Sequence, residues 1–306
     1  MLLRCRPAVR AELEECLPCI RDKEYFKSDQ DCRDLVKMWT DLMDREIACT
    51  SVIEDLERSQ GQRIVYFCLN VAVTEVFVHR ATNSLPPGIG FNLLQNWRNK
   101  GDGLLTREQV AAANAGKGLS VCVLHSGMPD SLMYSPEGDP IRDRITSWIV
   151  EIMGGYRYRH LLIESYDEWQ DAWSLNAGFL LRTDYPNFPH SGARVGLYGL
   201  TREEATERQG SAIKLVFNYL PPRFGLSHVE RMLCLFACGG LEDSEIAEKL
   251  SISPSTVKQR WKGVIEKFNL TFPSEPSPDG KRGSEKRGRI LEYLRHHVEE
   301  LRPYRG

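Results

Sequence analysis

The chain has 306 residues, with 40 Lys and Arg against 42 Asp and Glu, a formal net charge of −2 and 42% hydrophobic residues. That length and apolar content suffice for about two domains with cores of their own. The near-neutral balance excludes a broadly basic nucleic-acid coat, and no apolar run approaches the ~18–20 residues of a bilayer span.

In chain order, Arg6-Pro7-Ala8 followed by Leu13, Leu17 and Ile20 reads as a short strand leading into a helix. Cys16-Leu17-Pro18-Cys19 has the spacing of half a zinc site, with Cys5 and Cys32 as further thiols. No second such pair exists, and both cysteines fall on the apolar helical stripe, so buried thiols are expected there and no metal. Nine scattered cysteines and no stretch at the start long enough for a signal peptide predict a cytoplasmic protein with reduced thiols. Residues 32–43 predict a helix, and 63–78, rich in β-branched and aromatic residues, one or two strands. Leu85-Pro86-Pro87-Gly88-Ile89-Gly90 is a turn and a poor phosphate loop.

A helix over 106–115 and a buried strand over 119–124 come next. An amphipathic helix over 141–153 turns Ile141, Ile145, Trp148, Ile149 and Ile152 inward. The strand 159–165, the helix 167–176 and the strand 179–184 complete an alternation that implies an α/β layer. His125 ends its strand as either a general base or a structural histidine; Trp148, Trp169 and Trp173 line a ligand pocket or fill the core. Residues 186–192 read as a loop, and order returns over 195–220, with Val195, Leu197 and Leu200 and then a helix through Leu215, Val216 and Leu220.

On Leu161-Leu162-Ile163-Glu164, Ala172, Ala177-Gly178-Phe179 and Leu181-Arg182, with Arg6-Pro7-Ala8 and Leu13 upstream, the region 1–220 resembles the GNAT-type acyl-CoA N-acyltransferase fold. The resemblance implies a loop whose backbone N–H groups hold the pyrophosphate of coenzyme A at a helix N-terminus. The corresponding stretch, Ser135-Pro136-Glu137-Gly138-Asp139-Pro140-Ile141-Arg142, has one glycine, two acids and a proline. Ser174 stands where the resemblance implies a tyrosine that protonates the leaving thiolate. Both departures argue against catalysis, so neither catalytic residues nor a cofactor is expected, acetyl-CoA or another acyl-CoA being the alternative.

Residues 240–262 predict two short helices separated by a tight turn. Ile246, Ala247 and Leu250 lie on one side of the first, Ser253-Pro254 opens the second, and Val257, Trp261, Val264, Ile265 and Phe268 form its apolar stripe. Leu226-Ser227-His228-Val229-Glu230 opens a further helix upstream. With Leu226-Ser227, Glu230-Arg231, Gly240-Leu241, Glu245-Ile246-Ala247, Leu250, Ile252-Ser253-Pro254, Thr256-Val257-Lys258 and Lys267, the segment resembles the LuxR-type helix-turn-helix. The resemblance implies base contacts from Lys258, Gln259 and Lys262, and phosphate contacts from Ser253, Ser255, Thr256 and Arg260.

The expectation is therefore an α+β multidomain chain: an N-terminal α/β, GNAT-like mixed sheet with helices, a C-terminal all-α LuxR-type unit and an extra C-terminal helix. Its boundaries are a sensor and dimerisation domain over 1–220, a hinge over 221–225, the helix-turn-helix over 226–270, a basic linker over 271–288 and an amphipathic helix over 289–306. The expected function is a sequence-specific transcription regulator. It would bind double-stranded DNA as a homodimer, with RNA polymerase and an unknown small-molecule effector as further partners and no membrane. The alternative is a GNAT-type acyl-CoA-dependent N-acyltransferase fused to a DNA-binding module.

Overall fold

The structure is a computed structural model and describes residues 1–186, 195–208, 210–271 and 282–304. Seven strands form one sheet in the order β1-β2-β3-β4-β5-β7-β6. They are β1 (Leu3–Arg6), β2 (Ala48–Asp55), β3 (Ile64–Val73), β4 (Leu119–Gly127), β5 (Tyr158–Ser165), β6 (Leu180–Tyr185) and β7 (Val195–Thr201). β4 and β5 run parallel, and the other pairings are antiparallel. The mixed sheet with helices is the α/β layer that the alternation predicts.

Every residue of β3 is buried, as a strand covered on both faces requires. Successive side chains point to opposite faces. Phe67 meets Trp39 of α1 (Asp29–Asp44), with ring centroids 5.1 Å apart, while Tyr66 meets Trp148 of α6 (Asp139–Met153) edge-on at 4.9 Å. α1 starts sharply because Ser28 and Asp31 form a reciprocal cap. β3 stops at Val73, short of the expected end, because Thr74 accepts from the Phe77 N–H and opens α2 (Glu75–Asn83). After Gly88, whose φ of 94° only glycine takes easily, α3 (Ile89–Arg98) lies against β4. The helix α4 (Arg107–Ala115) forms where expected. Where a helix is expected after Ala8, the chain makes the 3-10 segments Arg10–Glu12 and Glu14–Cys19 instead, the second holding Pro18, which cannot donate.

Between β4 and α6 stands the short α5 (Asp130–Met133); α7 (Glu168–Ala177) follows β5 and α8 (Arg202–Glu207) follows β7. Residues 195–201 are thus a strand, and the helix expected beyond them is a 3-10 segment, Ala212–Phe217. The loop expected over 186–192 lies, apart from Pro186, outside the described residues, as do 272–281 of the expected linker.

Four helices complete the chain: α9 (His228–Cys238), α10 (Asp243–Lys249), α11 (Pro254–Thr271) and α12 (Arg282–His296). Leu233, Phe236, Ile246, Val257, Trp261, Val264, Phe268 and Leu294 bury their side chains together. Val229, by contrast, is exposed. The last helix begins before residue 289 and packs on α9 and α11, so its apolar side finds its partner within the chain.

These helices, expected as a separate all-α LuxR-type domain, have an apolar cluster of their own and are also tied to the sheet layer. Arg4 pairs with Glu245 at 2.7 Å, Lys249 with Glu12 at 3.0 Å and Arg231 with Glu46 at 2.7 Å. Beyond the 3-10 turn Val298–Leu301, the Arg302 guanidinium donates to the carbonyls of Gly154 and Ile152 at the end of α6. Glu300 accepts from the N–H groups of Arg223 and Phe224, which fixes the segment between the layers.

Candidate active site in the sheet wedge

The β4–β5 ladder pairs Leu119 with Tyr158 and ends with Val123 opposite Ile163. Past that point the strands part, and the gap is lined by Arg21, Asp22, His125, Ser126, Glu164, Tyr166 and Gln170 around a cavity of about 10 Å³. Such a volume has room for about one water.

His125 sits on the α3 side of β4, fully buried, with Nδ1 3.1 Å from Asp22 Oδ1. Trp39 and Phe26 wall the ring at centroid distances of 5.1 and 6.3 Å. His125 Nε2 and Asp22 Oδ2 are buried with no partner among the described residues. Room for them depends on Gly90, where a Cβ would lie 2.5 Å from Asp22 Oδ2 and 3.0 Å from His125 Cε1.

Glu164 faces the same gap from β5. Its carboxylate accepts from the Gly88 N–H at 3.0 Å, the Ile89 N–H at 2.5 Å and the Tyr166 hydroxyl at 2.5 Å. Burial pushes its carboxyl up to about 7 against the pull of those donors, and the nearby Asp22 adds to the rise. Burial likewise lifts the Tyr166 phenol well above its ordinary range.

The outer end of the wedge is bridged. Arg21 donates to Asp130 at 2.6 Å, to Asp167 at 3.0 Å and to the Tyr134 hydroxyl at 3.1 Å, tying the start of α5 to the cap of α7. The loop before α6 is tied down too, for Arg142 donates to the carbonyls of Leu132, Met133 and Ser135. Glu137, Asp139 and Pro140 stand at the entry of α6, as the sequence indicates, so two carboxylates and a missing donor occupy the place where a pyrophosphate would lie. The residues present do not fit the pyrophosphate of coenzyme A. Ser174 is buried in α7 with its hydroxyl unpartnered among the described residues.

No family model matches this chain, and no curated protein matches it. Solved structures do. The C-terminal condensation domain of Ebony, in complex with beta-alanyl-dopamine, is 11% identical, with a TM-score of 0.39, over 66% of this chain and 99% of that one. FeeM, an N-acyl amino acid synthase from uncultured soil microbes, is 11% identical, with a TM-score of 0.35, over 68% and 95%. The spermidine/spermine N-acetyltransferase SpeG from Vibrio cholerae is 9% identical, with a TM-score of 0.37, over 68% and 96%.

These findings correct the expectation of a LuxR-type transcription regulator. The similar solved structures are named as a condensation domain, an N-acyl amino acid synthase and an N-acetyltransferase, matched over about two thirds of this chain, and none of them is named as a LuxR-type regulator. The side chains assigned to DNA are placed as follows. Lys258, Gln259 and Lys262 are exposed along α11, with the Lys262 ammonium 3.9 Å from Glu266. Ser253 Oγ caps α11 by accepting from the Thr256 N–H and lies 2.7 and 2.8 Å from the hydroxyls of Ser255 and Thr256. Arg260 is half-buried beside them. They share one end of one helix, but nearby cations are engaged within the chain: Lys249 on Glu12, Arg231 on Glu46, and Arg287 on Asp243 and over the Trp261 ring.

The sequence marks His125 as a candidate base but carries no such signal for Asp22 or for the bridge made by Arg21. The Cys16 and Cys19 thiols are buried, and burial raises both, as for inert core cysteines. Among the described residues no helix is long and apolar enough to cross a membrane.

Proposed function

We propose that this chain is a GNAT-type N-acyltransferase of the cytoplasm, which moves an acyl group from a thioester to an amine in the β4–β5 wedge. The observation that carries this reading is the parallel strand pair that parts beyond Val123 and Ile163, with His125 and Glu164 lining the opening from its two sides. A parted parallel pair gives a planar acyl group two backbone edges to lie between, with buried titratable groups at its closed end.

In this reading His125 holds its Nδ1–H on Asp22, which leaves Nε2 free to accept a proton. The amine gives that proton to Nε2 as its nitrogen bonds to the thioester carbonyl carbon. The carbon–sulfur bond then breaks, and the imidazolium returns the proton to the leaving sulfur. Asp22 steadies the imidazolium throughout. Glu164, fixed by three donors, keeps the opposite wall in place. Substrate enters when the Arg21 bridge parts from Asp130 and Asp167. Since the entry of α6 does not fit a pyrophosphate, the donor is recognised through its thioester arm and not its nucleotide.

The test is thiol release and calorimetry with two donors, acetyl-CoA and S-acetyl-N-acetylcysteamine, offered with spermidine or an amino acid, the acceptor classes named for two of the similar structures. Comparable turnover of both donors is expected. Strong preference for acetyl-CoA would overturn the account of the donor, and no acyl product from either donor would overturn the activity itself.

A further inference from the structure

A second cavity, of about 970 Å³, lies between the edge of the sheet and the helical layer. Small-molecule sites run from about 300 to 1,000 Å³, so its size is that of a binding site and not of a packing flaw. Ala48, Trp148, Ile152, Met232, Leu235 and Leu294 supply apolar wall from both layers.

Two polar groups on this wall are left incomplete. Ser51 is 2% exposed, and its hydroxyl has no partner among the described residues. Arg302 is 4% exposed. Its Nε donates to the Gly154 carbonyl at 2.8 Å, and its Nη2 to those of Glu151 at 3.1 Å and Ile152 at 2.6 Å. Its guanidinium also lies 4.9 Å from the centre of the Tyr156 ring. All of these partners are neutral, and among the described residues no carboxylate pairs with Arg302 and no acceptor reaches its Nη1. The end of α6 offsets roughly half a charge at most. The other buried or half-buried Arg and Lys side chains on the wall are matched, Arg231 by Glu46, Lys249 by Glu12, and Arg6 by Glu12 and Glu54, while Arg295 is exposed. A buried guanidinium without a counter-ion is unfavourable until an anion reaches it.

We propose that this cavity binds an amphipathic carboxylate, its apolar body against the Trp148, Met232 and Leu235 wall and its carboxylate on Arg302, with the Ser51 hydroxyl as a further donor. The inference does not rest on the acyltransferase reading, for the wedge and this cavity share no lining residue. A ligand seated there touches α6 and β2 on one side and α9 and α12 on the other, so its binding clamps the helices onto the sheet and stabilises the folded chain by mass action.

The experiment titrates the full chain with decanoate, decanol and decyltrimethylammonium, reading tryptophan fluorescence, calorimetry and melting temperature. Decanoate is expected to bind at least about tenfold more tightly than decanol and to raise the melting temperature, and decyltrimethylammonium to bind least. Arg302→Gln should weaken decanoate about tenfold and leave decanol unchanged. Met232→Trp, which fills the space, should abolish binding of both. Decanol binding as tightly as decanoate, or no binding of decanoate, would overturn the proposal. Should Arg302→Gln fail to fold, Met232→Trp still decides: decanoate affinity unchanged in that variant would place the ligand elsewhere and end the idea.

Discussion

Glu164 carries a pH dependence whose sign follows from its surroundings. Its carboxyl titrates near 7 in the folded chain against an ordinary value of 4.5, because burial disfavours the charged form. Between those values the folded state holds a proton that the unfolded state has released, so stability falls as pH rises through the window and levels off above about 7. The loss is on the order of 3 kcal/mol. Urea unfolding at a series of pH values from 4.5 to 8 should show this decline in the wild type and a flatter profile in Glu164→Gln; equal slopes in the two would contradict it. Arg6 gives the residue scale a second test. It is buried between Glu12 and Glu54, with contacts of 2.5 Å to each. Arg6→Ala would remove the buried guanidinium between the two carboxylates, leaving Glu12 only Lys249 and Glu54 only Arg4 as cation partners, and a loss of about 3 kcal/mol is expected in the same unfolding measurement. A loss below ~1 kcal/mol would mean that water replaces the guanidinium.

Elements were legible in the sequence where a local signal fixes them. The helices α1, α4, α6 and α7 and the strands β4, β5 and β6 stand close to their expected spans because apolar periodicity and caps agree there. β7 is different. It inserts between β5 and β6, a neighbour relation that chain order cannot reveal, and Val195 and Leu197 signal order without naming its kind. The helix expected after Ala8 is replaced by 3-10 segments, the second of which holds Pro18. Asp22 escaped notice as part of the site because its partner His125 lies 103 residues away and nothing in spacing joins them. Gly155 marks a contact between elements far apart in the chain. Its φ is 82°, and a Cβ there would lie 2.6 Å from the Glu299 backbone nitrogen. Gly155→Ala should therefore destabilise by about 2 kcal/mol or more and lower the melting temperature. An unchanged melting temperature would show that the Val298–Leu301 turn does not press on α6.

On the scale of the molecule, the helix-turn-helix reading rests on one local pattern, and the comparisons do not point to that family. The pattern of α10 and α11 is local and strong, and it yields helices and a turn. It is blind to where cations find carboxylates, and Arg4, Lys249, Arg231 and Arg287 find theirs inside the chain. The weaker signal, loose motifs over residues 1–220, pointed to the sheet whose wedge carries the proposed chemistry. There the Asp22–His125 pair and Glu164 meet only because β4 and β5 part.

The most direct test of that chemistry is mass spectrometry of the acylated amine formed by wild type and by His125→Gln from S-acetyl-N-acetylcysteamine. Removal of a general base typically lowers the rate by about 10²–10⁴-fold. The account predicts an amide product from the wild type and a loss of that size in a variant that still melts cooperatively. Amide formed at the same rate by both proteins, or by neither, would contradict it.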